Sequence, residues 1–64
     1  MTRQMQHEHL VYLYLAVGVR HLEGIAFALG LTIAEAARAL LHLELREQVR
    51  RLPGERFERR EPQP

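Results

Sequence analysis

Apolar residues recur at helical spacing near the start of the chain, between residues 4 and 17. This stretch contains neither Gly nor Pro and begins with polar side chains, a pattern typical of a helix in a small globular domain. One face of such a helix carries four apolar side chains, those of Leu10, Leu13, Tyr14 and Val17. The pattern therefore predicts a first helix over residues 4–17.

The opposite side of this first helix is apolar as well. Val11, Tyr12 and Leu15 fall there, and a helix that is apolar nearly all round usually packs against two partners rather than one. A strand over residues 10–15 is an alternative because their content is β-branched and aromatic, although the polar alternation that would support a strand is absent. We favour the helix.

Two further helices follow, separated by a short turn. The second is predicted over residues 21–29, and Gly30 directly after it readily takes the left-handed conformation that closes a helix. Thr32 can cap a third helix over residues 33–47, and Glu35 completes the Thr-x-x-Glu capping box. The residues expected to be buried are Leu22, Ile25, Ala26 and Leu29 on the second helix, and Ala36, Ala37, Leu40, Leu41, Leu43 and Leu45 on the third.

The periodicity changes after the third helix. Residues 49–52 and 56–60 are short extended segments on either side of Pro53-Gly54-Glu55, and Pro followed by Gly suits the two central positions of a tight turn. We therefore predict a β-hairpin, the wing, over residues 48–60. Residues 61–64 have nothing to bury and are expected to form a loose tail.

The order of these elements predicts the fold class. Val19-Arg20, between the first two helices, is short enough to be a connecting strand or an extended turn. Three helices followed by a hairpin make a mainly α fold with a small β-hairpin, which is the order of a three-helix winged helix-turn-helix. We expect a single winged-helix domain over residues 1–60.

Length and composition narrow the class of protein. A chain of 64 residues suffices for one domain that buries only about 60% of its unfolded surface, so its stability margin is small. The absence of Cys excludes a disulfide framework and a thiolate zinc site, and no apolar run approaches the roughly 20 residues that span a bilayer. We expect a cytoplasmic domain with no membrane partner.

Charge is unevenly distributed along the chain, although the net charge is only +1. Six of the basic residues lie between residues 46 and 60, against three Glu, and all nine basic residues are Arg. The guanidinium group has a planar fork of donors that suits phosphate and base edges. A biased genome composition would produce the same preference for Arg.

Groups suited to catalysis or metal binding are scarce. The chain has no Cys, Ser, Asp or Lys, and no titratable pair is spaced for acid–base or nucleophilic work. His7-x-His9 resembles a metal site, but residues two apart point to different sides of a helix. His21 and His42 are expected to face solvent or to cap a helix. We expect a protein that is not an enzyme, with no cofactor, metal or small-molecule substrate.

The residues at the turn and the wing resemble a known family. Leu43-Glu44-Leu45 at the end of the third helix, Leu52-Pro53-Gly54 in the wing and the following aromatic Phe57 are similar to the C-terminal winged helix of the DNA-processing protein DprA, also called Smf. The resemblance covers roughly residues 10–60. The chain departs from the family pattern at Gln48 and Glu55, where the family usually carries Gly.

The resemblance implies a function in DNA uptake and recombination. Members of that family act in natural transformation, bind incoming single-stranded DNA and load the recombinase on it. Their main DNA site lies in a Rossmann-like domain, and the winged helix is an accessory module that adds DNA or protein contacts. The resemblance therefore implies an excised C-terminal domain or a free-standing relative that binds single- or double-stranded DNA weakly.

Two groups of residues are candidates for DNA contact. A helix-turn-helix inserts its third helix into the major groove, and Glu35, Arg38, His42 and Arg46 form one stripe along that helix. An ordinary solvated face would look the same. The wing arginines offer phosphate contacts of low sequence specificity, unless neighbouring Glu residues engage them in local ion pairs. The DNA-binding candidates are Arg38, His42 and Arg46 on the helix, and Arg50, Arg51, Arg56 and Arg59 on the wing, with Arg60 beside them.

A protein-interaction module is the alternative function. Val11, Tyr12 and Leu15 form an exposed apolar patch if the other helices leave them uncovered, and such patches mark interfaces in small domains. The partner would be a second copy in a homodimer or a neighbouring Rossmann-like domain. The competing interpretation is that the other two helices and the wing surround the first helix and bury this patch.

Overall fold

The computed structural model describes the backbone of residues 3–60 and the side chains of residues 5–60, so the predicted tail at residues 61–64 lies outside the described residues. Within that range the chain is mainly α-helical with a small antiparallel sheet, which confirms the predicted fold class. The elements, in chain order, are α1 (Arg3–Tyr14), a 3-10 turn (Leu15–Val17), β1 (Arg20–His21), α2 (Leu22–Leu29), α3 (Ile33–Leu45), β2 (Val49–Leu52) and β3 (Arg56–Arg59).

Helix α1 packs on the core with a different face from the one predicted. Val11 and Leu15 are fully buried, and Glu8 lies on the same side of the helix, at the spacing that one helical face requires. Leu10, Leu13 and Val17, which we expected on the packing face, are exposed. Because apolar residues cover both sides of this helix, its rotation is decided by the surfaces of α2, α3 and the sheet and not by its own sequence.

The same rotation corrects the predicted interface patch. Val11 and Leu15 belong to the core, and Tyr12 is half-buried against it, so the expectation that these three residues form an exposed surface is wrong. The apolar residues that α1 does present to solvent are the ones on its other side.

The helix-turn-helix has the predicted caps. Gly30 closes α2 with φ of 68°, and Thr32 accepts a hydrogen bond from the Glu35 amide while the Glu35 carboxylate accepts one from the Thr32 amide. His21 caps the start of α2, because its side chain accepts a hydrogen bond from the Glu23 amide. The capping box and one of the two roles expected for His21 are thereby confirmed.

Helix α3 buries a narrower face than we predicted. Ala36, Leu40 and Leu43 are buried as expected, and Ala39 is buried beside them. Leu41 and Leu45 are exposed, at 47% and 72%, so their predicted burial is wrong. The single core of this small domain lies on one side of α3, and the two leucines point away from it.

The sheet has the order β1-β3-β2, with both neighbouring pairs antiparallel. Strand β1 pairs with β3 through Arg20 opposite Phe57, so the segment between the first two helices is a connecting strand. Pro53 and Gly54, with φ of 82° at Gly54, have the features of a type II turn between β2 and β3. The Leu22 amide donates to the Glu55 carbonyl over 2.9 Å, which ties the wing turn to the start of α2.

The core lies between the three helices and the inner face of the sheet. Its largest fully buried side chains are those of Phe57, Leu15, Ile25, Leu40, Val11 and Val49. No single helix in the described residues is long and apolar enough to cross a membrane. Helices α2 and α3 would reach that length and hydropathy only together, and they are bent by 112° at their turn.

Candidate nucleic-acid interface

The pairing register of the wing divides its arginines between two faces of the sheet. Residues directly opposite each other in the antiparallel ladder share a face, so Val49 and Arg59 share one, as do Arg51 and Phe57. That face is the inner one, because Val49 and Phe57 are buried. The outer face then carries Arg50 opposite Glu58, and Leu52 opposite Arg56.

The inner-face arginines cover aromatic rings at the edge of the core. The Arg59 guanidinium lies 4.0 Å from the centre of the Tyr12 ring, and that of Arg51 lies 4.8 Å from the centre of the Phe57 ring. Arg51 also forms an ion pair with Glu44 over 3.5 Å. Such cations pack with their aliphatic stems and with the planar face of the guanidinium, while its polar edges remain at the surface.

The outer-face arginines are exposed and only loosely paired. Arg50 lies 3.7 Å from the Glu58 carboxylate, and Arg56 donates to the Pro53 carbonyl over 2.9 Å. Arg60, just after β3, lies 3.7 Å from the Glu47 carboxylate. Exposed ion pairs of this kind are each worth about 0–1 kcal/mol, so a phosphate group can replace the carboxylate at small cost.

The outward stripe of α3 differs from the predicted one. Four exposed positions of α3 recur at the spacing of one helical face, namely Ala34, Arg38, Leu41 and Leu45. Arg38 is the member of this stripe that can donate to phosphate, and the structure gives its guanidinium no partner among the described residues. Leu41 and Leu45 offer a base edge no hydrogen bond, because readout in the major groove depends on donors and acceptors.

His42 and Arg46 lie on the flank of α3 that faces α1, where both contact Glu8. The Nδ1 atom of His42 lies 2.8 Å from one Glu8 carboxylate oxygen, and Nη1 of Arg46 donates to the other over 2.5 Å. Glu8 is 4% exposed, so this carboxylate is a buried charge with two partners on the neighbouring helix. Sequence reasoning missed it. The one indication in the sequence was that Glu8 lies about one helical turn before Val11 and therefore on the same side of the helix.

Comparison with known families gives a match that covers most of the chain. The model of the DprA winged helix domain matches residues 6–55. The chain belongs to this family. Searches among curated proteins and among solved structures found no match. As a DprA winged-helix domain, the chain is a module of the DNA-processing type, and its suspected family is confirmed.

Two residues other than Gly adopt the left-handed conformation in this DprA winged helix. The family resemblance placed the glycine that closes α3 at the position of Gln48, but here the left-handed residue is Glu47, with φ of 60°. The Gln48 amide donates to the Leu43 carbonyl and the Glu47 amide to the Glu44 carbonyl, which is the Schellman pattern. Glu55, where a second wing Gly is usual, is also left-handed, with φ of 57°.

The described residues contain no group of three or more His or Glu side chains that could hold a metal ion. His7 and His9 belong to α1 and are not joined by a third ligand. The predicted sites therefore separate into three sets: the outward Arg38, the exposed outer face of the wing, and the His42 and Arg46 pair held by α1.

Proposed function

We propose that this DprA winged helix is an accessory DNA-binding module that contacts phosphates weakly and with little sequence preference. The observation that carries the proposal is the exposure of Arg38, Arg50 and Arg56 without a strong protein partner. Arg51 and Arg59 add cationic edges from their positions over the aromatic rings. The apolar character of the rest of the α3 stripe supports phosphate contact over base readout.

The number of such arginines sets the expected salt dependence. Each phosphate that a protein neutralises on duplex DNA contributes about 0.9 to the slope of log K against log salt, and about 0.7 on a single strand. Three contacts from Arg38, Arg50 and Arg56 predict a slope of about −2.7 on duplex DNA. A slope of this size implies weak binding that is lost at moderate salt.

Fluorescence anisotropy with labelled single- and double-stranded oligonucleotides, across a salt series, tests this function. Changing Arg38, Arg50 or Arg56 singly to Ala should lower the affinity and reduce the duplex slope by about 0.9 each. Arg20→Ala is the matched control, because it removes the same charge from β1, which lies outside α3 and the wing hairpin. Equal losses for Arg20→Ala and Arg38→Ala, or no salt-dependent binding at all, would rule the proposal out.

A second candidate function is homodimerisation through the outward face of α1. That face carries Gln6, Leu10 and Leu13, and Val17 of the following 3-10 turn extends it. All four are exposed and none is charged, so two copies can meet there without opposing like charges. A second copy would also add buried apolar surface to a domain too small to have much stability of its own. These residues replace the buried Val11 and Leu15 as the interface candidates.

Sedimentation equilibrium of the free domain tests the dimer. Leu13→Gln should convert a dimer to a monomer, whereas Leu45→Gln, on the exposed stripe of α3, should leave the dimer intact. A wild-type domain that remains monomeric at millimolar concentration would exclude this second function and leave DNA contact as the function of the module.

A further inference from the structure

The carboxylate of Glu8 is the buried charge that links α1 to α3. Burying an ionised carboxylate is costly unless the charge is paired and hydrogen-bonded, and both oxygens of Glu8 have a partner. His42 and Arg46 lie four residues apart on α3, so they reach across to Glu8 from successive turns of the helix. The carboxylate therefore gives each of these two side chains a polar contact on α1.

The Arg46 guanidinium is bound to Glu8 through one nitrogen, and the rest of the group is open to solvent. Its side chain is 55% exposed, and it lines an open groove with Leu13 and Gln48, although its Nη1 atom is bound to Glu8. Solvent or a phosphate can therefore reach the guanidinium, but the adjacent carboxylate neutralises its charge. Arg38 lies eight residues earlier on α3, about 12 Å along the helix axis, and has no such carboxylate beside it.

We propose that Glu8 is a positioning residue that limits DNA affinity by holding Arg46, together with His42, against α1 and by neutralising the charge of the Arg46 guanidinium. This inference rests on the proposed DNA-binding function and assigns the strength of that binding to a residue outside the helix-turn-helix and the wing. In the wild-type domain Arg38 contacts DNA, and Arg46 does not. Removing the charge of Glu8 makes Arg46 available as a further phosphate contact.

The variant Glu8→Gln removes the charge with little change in shape. The amide oxygen of Gln accepts from Arg46 and its nitrogen can donate to Nδ1 of His42, so the packing between α1 and α3 is retained. A hydrogen bond to a neutral amide is weaker than one to a carboxylate, so phosphate competes for Arg46. One added phosphate contact should steepen the duplex salt slope by about 0.9 and raise affinity about eightfold at 0.1 M salt.

Three further variants separate this effect from a general gain of positive charge. Glu23→Gln removes one negative charge from α2, where Glu23 contacts no arginine in the described residues, and should change the slope far less. Adding Arg46→Gln to Glu8→Gln should cancel the gain. Arg46→Gln alone should leave affinity within about twofold of wild type, because Arg46 is already engaged, whereas Arg38→Ala lowers it.

The anisotropy salt series with these variants gives distinct outcomes. Equal slopes for Glu8→Gln and Glu23→Gln overturn the inference, even if Arg38→Ala confirms DNA binding. A loss of affinity in Arg46→Gln as large as that in Arg38→Ala also overturns it, and this arm decides the question if circular dichroism shows that Glu8→Gln is unfolded. Absence of salt-dependent binding in the wild-type domain contradicts the proposed function and, with it, the inference, whereas equal slopes in proteins that do bind contradict the inference alone.

Discussion

The Arg59 guanidinium lies 4.0 Å from the centre of the Tyr12 ring, so the last strand and the first helix are joined by a cation–π contact. Tyr12 is half-buried against the core, and Arg59 belongs to the inner face of the sheet. A residue that sequence analysis assigned to DNA contact therefore also contributes to the packing of the domain. Because Arg59 packs on the Tyr12 ring, a binding measurement on a variant of the wing needs a stability measurement beside it.

A double-mutant cycle measures that contact. Tyr12→Leu and Arg59→Gln should each lower the free energy of unfolding, and their coupling energy should be about 0.5–1 kcal/mol, because the ring quadrupole attracts the cation at a half-buried site. Urea unfolding followed by circular dichroism provides the values. Arg50→Gln, which loses only an exposed ion pair, is the control and should change stability by less than about 0.5 kcal/mol. Strict additivity in the cycle would contradict the prediction.

Two phenylalanines in opposite environments test the position of the core. Phe57→Ala should lower the free energy of unfolding by about 3–5 kcal/mol, because the ring is fully buried and its loss leaves a cavity. A domain of this size has a total stability of roughly 3–10 kcal/mol, so the variant should be largely unfolded at 37 °C. Phe27→Ala, at a ring that is 90% exposed, should change stability by less than about 0.5 kcal/mol. Similar losses in the two variants would show that the core is misplaced.

The capping box at the start of α3 should account for about 1 kcal/mol of stability. Thr32→Ala removes the hydroxyl that accepts from the Glu35 amide and leaves that donor without its protein partner. Thr32→Ser retains the hydroxyl and should stay within a few tenths of a kcal/mol of wild type. Thermal unfolding of the two variants distinguishes the loss of the hydrogen bond from the loss of the methyl group, and equal melting temperatures would argue against the cap.

The left-handed conformation of Glu47 should make a glycine stabilising there. A side chain at φ of 60° costs about 1–2 kcal/mol in this region of φ/ψ space, and Gly avoids that cost at the price of about 0.5–1 kcal/mol of backbone entropy. Glu47→Gly should therefore raise the free energy of unfolding by about 0.5–1 kcal/mol in urea titrations. Glu47→Gln keeps the strained conformation while removing the ion pair with Arg60, and it should not stabilise the domain. A gain in Glu47→Gln equal to that in Glu47→Gly would assign the effect to charge.

The order of the elements and their ends could be predicted from the sequence because they depend on contacts within a few residues. Thr32 and Glu35 are three residues apart and exchange hydrogen bonds wherever that segment lies in space, and Pro53-Gly54 bends the chain by its own backbone preferences. The family resemblance could also be found without the structure, because its motif residues around Leu43 and Phe57 are defined by their order along the chain. The family match confirms this resemblance.

The rotation of the helices and the environment of each arginine were decided only by the tertiary structure. Leu10 and Leu41 are exposed, although they are as apolar as the buried Leu15 and Leu40. The domain has a single core, and only the side of each helix that faces this core is buried. Because Glu8 is far from Arg46 in sequence, no local pattern brings them together, and their pairing appears once those helices pack. Strand register likewise sends Arg59 to an aromatic ring and Arg50 to solvent, since alternation assigns faces only after the partner strands are fixed.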